Sequence, residues 1–161
     1  MYKRILVPFD GSPTSNAGLD EAVKLARLTG ASIRLVHVLD HLPFSSGGPG
    51  LTGDLLGILV EAGSQLLLEA KRRVEAVDVP VDTFLSETFG ERVCNVVAEQ
   101  AKAWNADLIV IGTHGRRGVK RLLVGSDAEQ IVRTASVPVH LVRMALAEAP
   151  ARADNDAAAQ V

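Results

Sequence analysis

The sequence predicts an α/β protein: an open, parallel, five-stranded sheet with helices on both faces. Short β-branched and apolar segments alternate with longer segments that have helical periodicity. Strands separated by single helices pair in parallel, because a parallel connection needs a crossover. The uninterrupted apolar run at 108–111, "LIVI", is typical of a central strand covered on both faces. With 161 residues, 47% of them apolar, the chain is long enough to bury the core of one domain.

The first half of the chain supplies two strands and two helices. The first strand is predicted at 4–9, "RILVPF", and a helix follows it. Ser12 is a residue type that caps helices, and Pro13 is typical of the first helical turn. Gly30 is typical of the position where a helix ends. The second strand is "ASIRLVHVL", and the next helix is predicted at 55–77.

The second half continues the alternation. The third strand is "VPVDTFL" at 79–85, and the spacing of Thr88 and Glu91 is that of a capping box at the start of the third helix. The fourth strand is "NADLIVIG", ending at Gly112. A short helix at 126–136 and the strand "VPVHLVR" complete the pattern.

Two segments fall outside these elements. Residues 41–54 are rich in Gly, Pro and Ser and are expected to form a long flexible loop. The Ala-rich segment 145–161 is expected to be a disordered tail, so one domain is predicted over 1–144.

Composition and charge exclude several classes of protein. The net charge of −2 gives no support to a general nucleic-acid binder or to an anionic membrane surface as partner. No apolar run approaches the roughly 20 residues needed to span a bilayer. The single Cys94 cannot form an internal disulfide, and the first residues show no cleavable signal pattern. We therefore expect a cytoplasmic protein.

The run "GTHGRRGVKRLLVGSDAE" follows the fourth strand directly. Gly112 and Gly115 allow a tight turn and close approach to a ligand, while Gly125 and Ser126 place N–H groups and a hydroxyl at a helix start. This arrangement favours phosphate binding, although glycines between a strand and a helix also serve as plain turn residues. GxxxxGK[ST] is absent from the sequence, and no GxGxxG follows the first strand. Basic residues in the same loop add a cationic field: Arg116, Arg117, Lys120 and Arg121.

The chain resembles the ATP-binding branch of the universal stress protein family. "GTHGRRGVKRLLVGS" matches the family's pattern of glycine, two residues, glycine, nine residues, glycine and Ser/Thr. "KRILVPFDGS" and "VPVHLVR" resemble its opening and closing signatures, so the resemblance covers residues 2–143. It implies a Rossmann-like sheet with strand order 3-2-1-4-5, a homodimer, and ATP held between the ends of the first and fourth strands.

The resemblance also implies which residues lie on the nucleoside side of the site. Asp10 matches the acidic residue near the nucleoside, with Pro8 beside it. Val38 matches the residue whose backbone meets the adenine, and Ile111 and Gly112 would line the base and ribose.

On the phosphate side, the resemblance implies that Gly115, Gly125 and Ser126 hold the phosphates, with Asp127 and Ala128 following in the first helical turn. Asp127 departs from the family pattern, in which a small apolar or hydroxyl residue is common. A carboxylate there either repels phosphate or helps to hold Mg²⁺, and the sequence does not decide between the two.

A catalytic function is not favoured, because no nucleophile elbow and no SGGxDS-type loop is present in the sequence. We expect a stress-response or signalling protein that binds ATP, ADP or AMP and hydrolyses ATP slowly at most. The alternatives are a dimeric interaction module that does not use nucleotide, and an enzyme acting on an adenylated substrate. His37, His41 and His140 are too scattered to indicate a metal site, and Cys94 is expected in the core.

Overall fold

The computed structural model describes residues 1–39, 53–87, 91–113 and 125–143, with the backbone alone at 53–55. Most of the predicted loop at 41–54 and the whole predicted tail lie outside these ranges. The five strands form one sheet in the order β3-β2-β1-β4-β5, and every pair is parallel. The predicted fold class and strand order are therefore confirmed. The elements, in chain order, are β1 (Arg4–Pro8), α1 (Pro13–Thr29), β2 (Ser32–Val38), α2 (Gly53–Glu75), β3 (Val81–Ser86), α3 (Val93–Ala103), β4 (Leu108–Gly112), α4 (Ser126–Thr134) and β5 (Val139–Val142).

The sheet separates two apolar layers, because successive side chains of a strand point to opposite faces. Ile5 and Val7 of β1 point into the layer that α1 and α2 cover. Leu6 of β1 and Val36 of β2 point into the layer that α3 and α4 cover. Buried on both faces, β1 and β4 are the central strands of the sheet. Their carboxyl ends are where a ligand site is expected in an open sheet of this order.

An ion pair joins β2 to β3 beneath the end of α3. Arg34 donates to both carboxylate oxygens of Asp82, at 2.8 and 2.7 Å, and its guanidinium lies 4.9 Å from the centre of the Trp104 ring. The hydrogen bonds from Arg34 to Asp82 raise the pKa of Arg34, with burial opposing them. Trp104 thus packs against Arg34, and this contact lies away from the carboxyl ends of β1 and β4.

Helix α1 begins and ends where its sequence predicts. Ser12 is the N-cap residue, and its hydroxyl accepts a hydrogen bond from the Ser15 N–H at 3.1 Å. Pro13 occupies the first turn, and Gly30 ends the helix in the left-handed conformation at φ 68°.

Of the helices that the structure describes, none is both long and apolar enough to cross a membrane.

Candidate functional site

The sheet opens between β1 and β4 at its carboxyl edge. These strands pair only at Ile5–Leu108 and Leu6–Ile109. The pairing of β1 with β2 continues to Pro8–Val36, and the Phe9 N–H still donates to the Val36 carbonyl at 2.8 Å. We call the unpaired edge between the carboxyl ends of β1 and β4 the crevice.

Pro8 supplies a local reason for this opening. Main-chain groups of successive residues in a strand face opposite neighbours, so a Phe9 N–H that faces β2 means that position 8 faces β4. Proline has no N–H, and this position cannot donate to β4. Pro8 itself is buried. The residue that the resemblance places beside the nucleoside thus also limits the pairing of the two central strands.

The turn after β1 holds Asp10 at the edge of the crevice. One carboxylate oxygen of Asp10 accepts the Ser12 N–H at 2.9 Å, which is an Asx turn. Gly11 takes a left-handed conformation at φ 77°, and a Cβ there would lie 2.8 Å from Leu66 of α2. The half-buried Asp10 is therefore held in an Asx turn, and α2 packs against Gly11 beside it.

Gly112, at the end of β4, contacts the first turn of α1. A Cβ at Gly112 would collide with the Thr14 carbonyl and lie 3.0 Å from the Ser15 nitrogen. A Cβ at Gly18 would lie 3.1 Å from the Gly112 nitrogen, so both glycines allow the same close approach of helix and strand. Gly112 has a packing function in addition to the ligand contact that the resemblance implies.

The amino terminus of α4 lies at the same edge, directly beyond β4. The Gly125 N–H donates to the Thr113 carbonyl at 2.6 Å, and the Thr113 N–H donates to Val142 at 3.0 Å. The hydrogen bond from the Glu129 N–H to the Gly125 carbonyl is the first of helix α4. The N–H groups of residues 126–128 therefore point out of the helix end and do not take part in its internal hydrogen bonds. Such amides, together with the helix dipole, attract anions.

The side chains at this helix start differ in exposure. Ser126 and Asp127 are exposed, so the hydroxyl and carboxylate are in contact with solvent. Ala128 is 4% exposed and packs in the apolar layer beside Ile131, which leaves its main chain as the group available to a ligand. The Glu129 carboxylate is paired with Arg133 at 2.8 Å. The basic residues of the preceding loop and Gly115 lie outside the described residues.

Val38, at the end of β2, directs its main chain towards the turn that holds Asp10. The Leu39 N–H donates to Ser86 of β3 at 3.3 Å, so by alternation the Val38 N–H and carbonyl face the β1 side. The last β1–β2 pair is Pro8–Val36, so Asp10 and Val38 each lie two residues beyond the paired part of their strands. Ile111 is buried in the apolar layer under α3 and α4.

The structure thus brings the predicted residues that it describes to the carboxyl ends of β1, β2 and β4 and the start of α4. It also shows two buried polar residues at this edge that the sequence reasoning did not assign to the site. These are Thr113, after β4, and His37, whose imidazole contacts the Phe9 carbonyl. In the described ranges, no group of three or more His, Cys, Asp or Glu side chains is placed to hold a metal ion.

Comparisons with known proteins show the family of this chain. The model of the universal stress protein family matches residues 1–143. A universal stress protein of Methanocaldococcus jannaschii is 33% identical over 144 residues, which cover 89% of this chain and 83% of that protein. The crystal structure of a universal stress protein family member from Burkholderia pseudomallei is 30% identical, with a TM-score of 0.70 and coverage of 88% of this chain and 96% of that one. The universal stress protein from Archaeoglobus fulgidus in complex with dAMP is 26% identical, with a TM-score of 0.61 and coverage of 87% and 97%. The chain belongs to the universal stress protein family.

Proposed function

We propose that this protein binds an adenine nucleotide, ATP in the first place, in the crevice between β1 and β4. The observation that carries the proposal is the early end of the β1–β4 pairing, with the amino terminus of α4 at the open edge. Ligands of open parallel sheets bind where the strand order reverses, which here is between β1 and β4. The complex of the Archaeoglobus fulgidus protein with dAMP supports the choice of an adenine nucleotide.

The nucleoside would lie on the β1 and β2 side of the crevice. Adenine offers an N–H donor and a ring acceptor on one edge, and the adjacent N–H and carbonyl of Val38 complement that pair. Asp10, two residues after the end of β1, would accept a hydrogen bond from a ribose hydroxyl, as acidic residues do in other nucleotide folds. Pro8, Ile111 and Gly112 would then form the apolar floor beneath base and ribose.

The phosphates would lie at the start of α4. The amides of residues 126–128 and the Ser126 hydroxyl are the donors there, and Gly125 lets the chain come close. Gly115 and the basic residues that follow it in the sequence would add further contacts to the phosphates. Asp127 is exposed in the first turn of α4, where it either repels the phosphates or holds Mg²⁺ with them. Comparing the Mg²⁺ dependence of ATP binding in the native protein and Asp127→Ala distinguishes these alternatives.

We further propose that the nucleotide is retained as a signal or structural ligand, with slow hydrolysis at most, in a cytoplasmic stress-response protein. Fast phosphoryl transfer needs a positioned group that orients the attacking water. Among the described residues, the carboxylates in the first turn of α4 are those of the exposed Asp127 and Glu129, and Glu129 is paired with Arg133. A single-turnover assay tests this, since hydrolysis on the order of 1 s⁻¹ or faster is in the range of ordinary enzymes.

Two measurements test nucleotide binding directly. Mass spectrometry of ligand released from the gently purified protein is expected to find an adenine nucleotide. Calorimetry is then expected to show that Ser126→Ala weakens ATP binding several-fold, because one hydrogen bond to phosphate is lost at a cost of about 1 kcal/mol. Ser136→Ala, an exposed serine just beyond the other end of α4, is the matched control and should leave affinity unchanged.

The main alternative is a dimeric interaction module that has the fold without using nucleotide. No released nucleotide and no calorimetric signal with ATP, ADP or AMP for the folded native protein would favour that alternative. A homodimer through β5 is part of both proposals. Turnover of an adenylated substrate would instead indicate an enzyme.

A further inference from the structure

His37 joins β2 to the last residue before Asp10. Its side chain is 5% exposed, and Nδ1 lies 2.7 Å from the Phe9 carbonyl oxygen. Because a carbonyl oxygen only accepts hydrogen bonds, Nδ1 carries the proton and donates it. A buried polar ring is costly unless it is hydrogen-bonded, so this bond sets the orientation of the imidazole.

The space for the ring comes from α2. A Cβ at Gly63 would lie 3.0 Å from His37 Cδ2, 3.0 Å from Leu39 and 2.9 Å from Leu85. Gly63 therefore allows α2 to pack closely over the imidazole. Enclosed in this way, His37 cannot turn freely, and its hydrogen bond is a fixed constraint on β1.

The constraint acts on the peptide that leads into Asp10. The Phe9 N–H donates to Val36 at 2.8 Å, and the Phe9 carbonyl accepts from His37, so both main-chain groups of Phe9 are held by β2. Since the peptide unit is planar, fixing this carbonyl also fixes the nitrogen and Cα of Asp10.

Further contacts of this turn lie after Asp10. Asn16 donates to the Gly11 carbonyl at 3.1 Å and to the Ser12 carbonyl at 2.9 Å, and Arg73 of α2 donates to Asn16. Ser12 donates to the Asp10 carboxylate itself. His37 therefore constrains the side of Asp10 towards the sheet, where the carboxylate leaves β1.

We propose that His37 is a positioning residue for nucleotide binding: by holding the Phe9–Asp10 peptide, it sets where the Asp10 carboxylate lies in the crevice. This inference rests on the proposed function, and it adds a residue that is buried and does not touch the ligand. According to this proposal, His37 affects the binding of the nucleoside. Binding of the phosphates at α4 should be independent of it.

The test compares His37→Leu with His37→Asn in the full chain. Asn and Leu have similar branched shapes, but only Asn keeps an N–H donor near the position of Nδ1. His37→Leu is expected to weaken ATP binding by about three- to tenfold, because a misplaced Asp10 carboxylate loses its one hydrogen bond to the ribose. His37→Asn is expected to keep an affinity close to that of the native protein. Binding of inorganic tripolyphosphate should be the same in both variants and the native protein.

A double-mutant cycle with Asp10→Ala shows whether His37 acts through Asp10. In the Asp10→Ala background, His37→Leu should cause no further loss of ATP affinity, because the carboxylate that it positions is gone. Equal ATP affinity in folded His37→Leu and native protein would overturn the inference, as would a full additional loss in the Asp10→Ala background.

A measurement on the native protein without nucleotide keeps the inference testable if the variants do not fold. ¹⁵N NMR is expected to show a protonated Nδ1 on His37 that exchanges slowly with water. An unprotonated Nδ1 would overturn the inference. Failure of the proposed function is a separate result: the native protein would then bind no adenine nucleotide in calorimetry.

Discussion

At the scale of single residues, Gly112 carries a packing constraint that a ligand motif alone does not reveal. Its α-carbon lies against the first turn of α1, so that any side chain meets backbone atoms of Thr14 and Ser15. Backbone in a helix start cannot move aside as a flexible side chain can. The glycine is needed for folding before any nucleotide is bound.

We therefore expect Gly112→Ala to lower the free energy of unfolding by about 2 kcal/mol or more, the usual cost of overpacking. Gly57→Ala in α2 is the matched control, because a Cβ there meets nothing within 4 Å. Alanine is favoured over glycine inside a helix, and this control should be neutral or stabilising by up to about 1 kcal/mol. Urea denaturation of both variants measures the difference. Equal stability of Gly112→Ala and native protein would contradict the packing interpretation.

The same scale shows what could be predicted for the site and what could not. The glycine and serine at 125–126 are visible in the sequence as a helix start, and the structure places them there. The contacts of Gly112 with Thr14 and of His37 with Phe9 join residues far apart in the chain. Such contacts depend on which strands are neighbours, and neither residue type alone specifies a partner.

At the scale of elements, strands were predicted best because each is a short apolar run, and the observed β1 to β5 all lie within or beside the predicted segments. The start of α1 was also predicted, since Ser12 and Pro13 act locally. The start of α3 was wrong: it begins at Val93, with Arg92 as a cap residue whose side chain makes no capping hydrogen bond in the described part of the chain. Glu91 precedes the helix, and Thr88 lies outside the described residues. Packing of Cys94, Val96 and Val97 on the sheet, rather than a capping side chain, accompanies this start.

The end of β1 yields a prediction at this scale. Pro8→Ala restores an N–H that faces β4, and the new hydrogen bond should extend the pairing of the two strands. The bond gains about 0.5–1.5 kcal/mol, and the greater freedom of the unfolded chain costs about 0.4–1 kcal/mol, so stability should change little. We expect slow hydrogen exchange of the amide at position 8 and weaker ATP binding, because the crevice is narrower.

Pro138→Ala is the control for this change. Pro138 is exposed and lies just before β5, away from the carboxyl edge of the sheet. Its carbonyl accepts a hydrogen bond from the Ile109 N–H at 3.0 Å. Its ATP affinity should match that of the native protein. A Pro8→Ala protein with a rapidly exchanging amide and native affinity would show that the crevice does not depend on the missing donor.

At the scale of the whole molecule, the two edges of the sheet differ. β3 lies beside β2 under α2, whereas β5 is a strand of four residues with apolar side chains at the other edge. Leu141 of β5 is 39% exposed, and Val132 of the neighbouring α4 is 45% exposed. An open strand edge with exposed apolar groups favours pairing with a second chain, and pairing about a two-fold axis closes the assembly. The apolar pattern of "VPVHLVR" predicted this edge strand from the sequence. The area that two chains would bury could not be predicted, because it depends on how the two chains dock.

The corresponding prediction separates dimer contacts from core contacts. Val139 packs against the apolar layer under α3 and α4, so a charge there would damage the core as well as an interface. Leu141→Lys, at the exposed position, is expected to shift the proposed dimer towards monomer at micromolar concentration, while the unfolding temperature of the monomer stays close to that of the native chain. His140→Lys is the matched control, since His140 is exposed on the opposite face of the same strand and pairs in register with Val110. It should leave the dimer intact if the contact is made by the Leu141 face. Sedimentation velocity measures both variants, and a native chain that sediments as a monomer would reject dimerisation through β5.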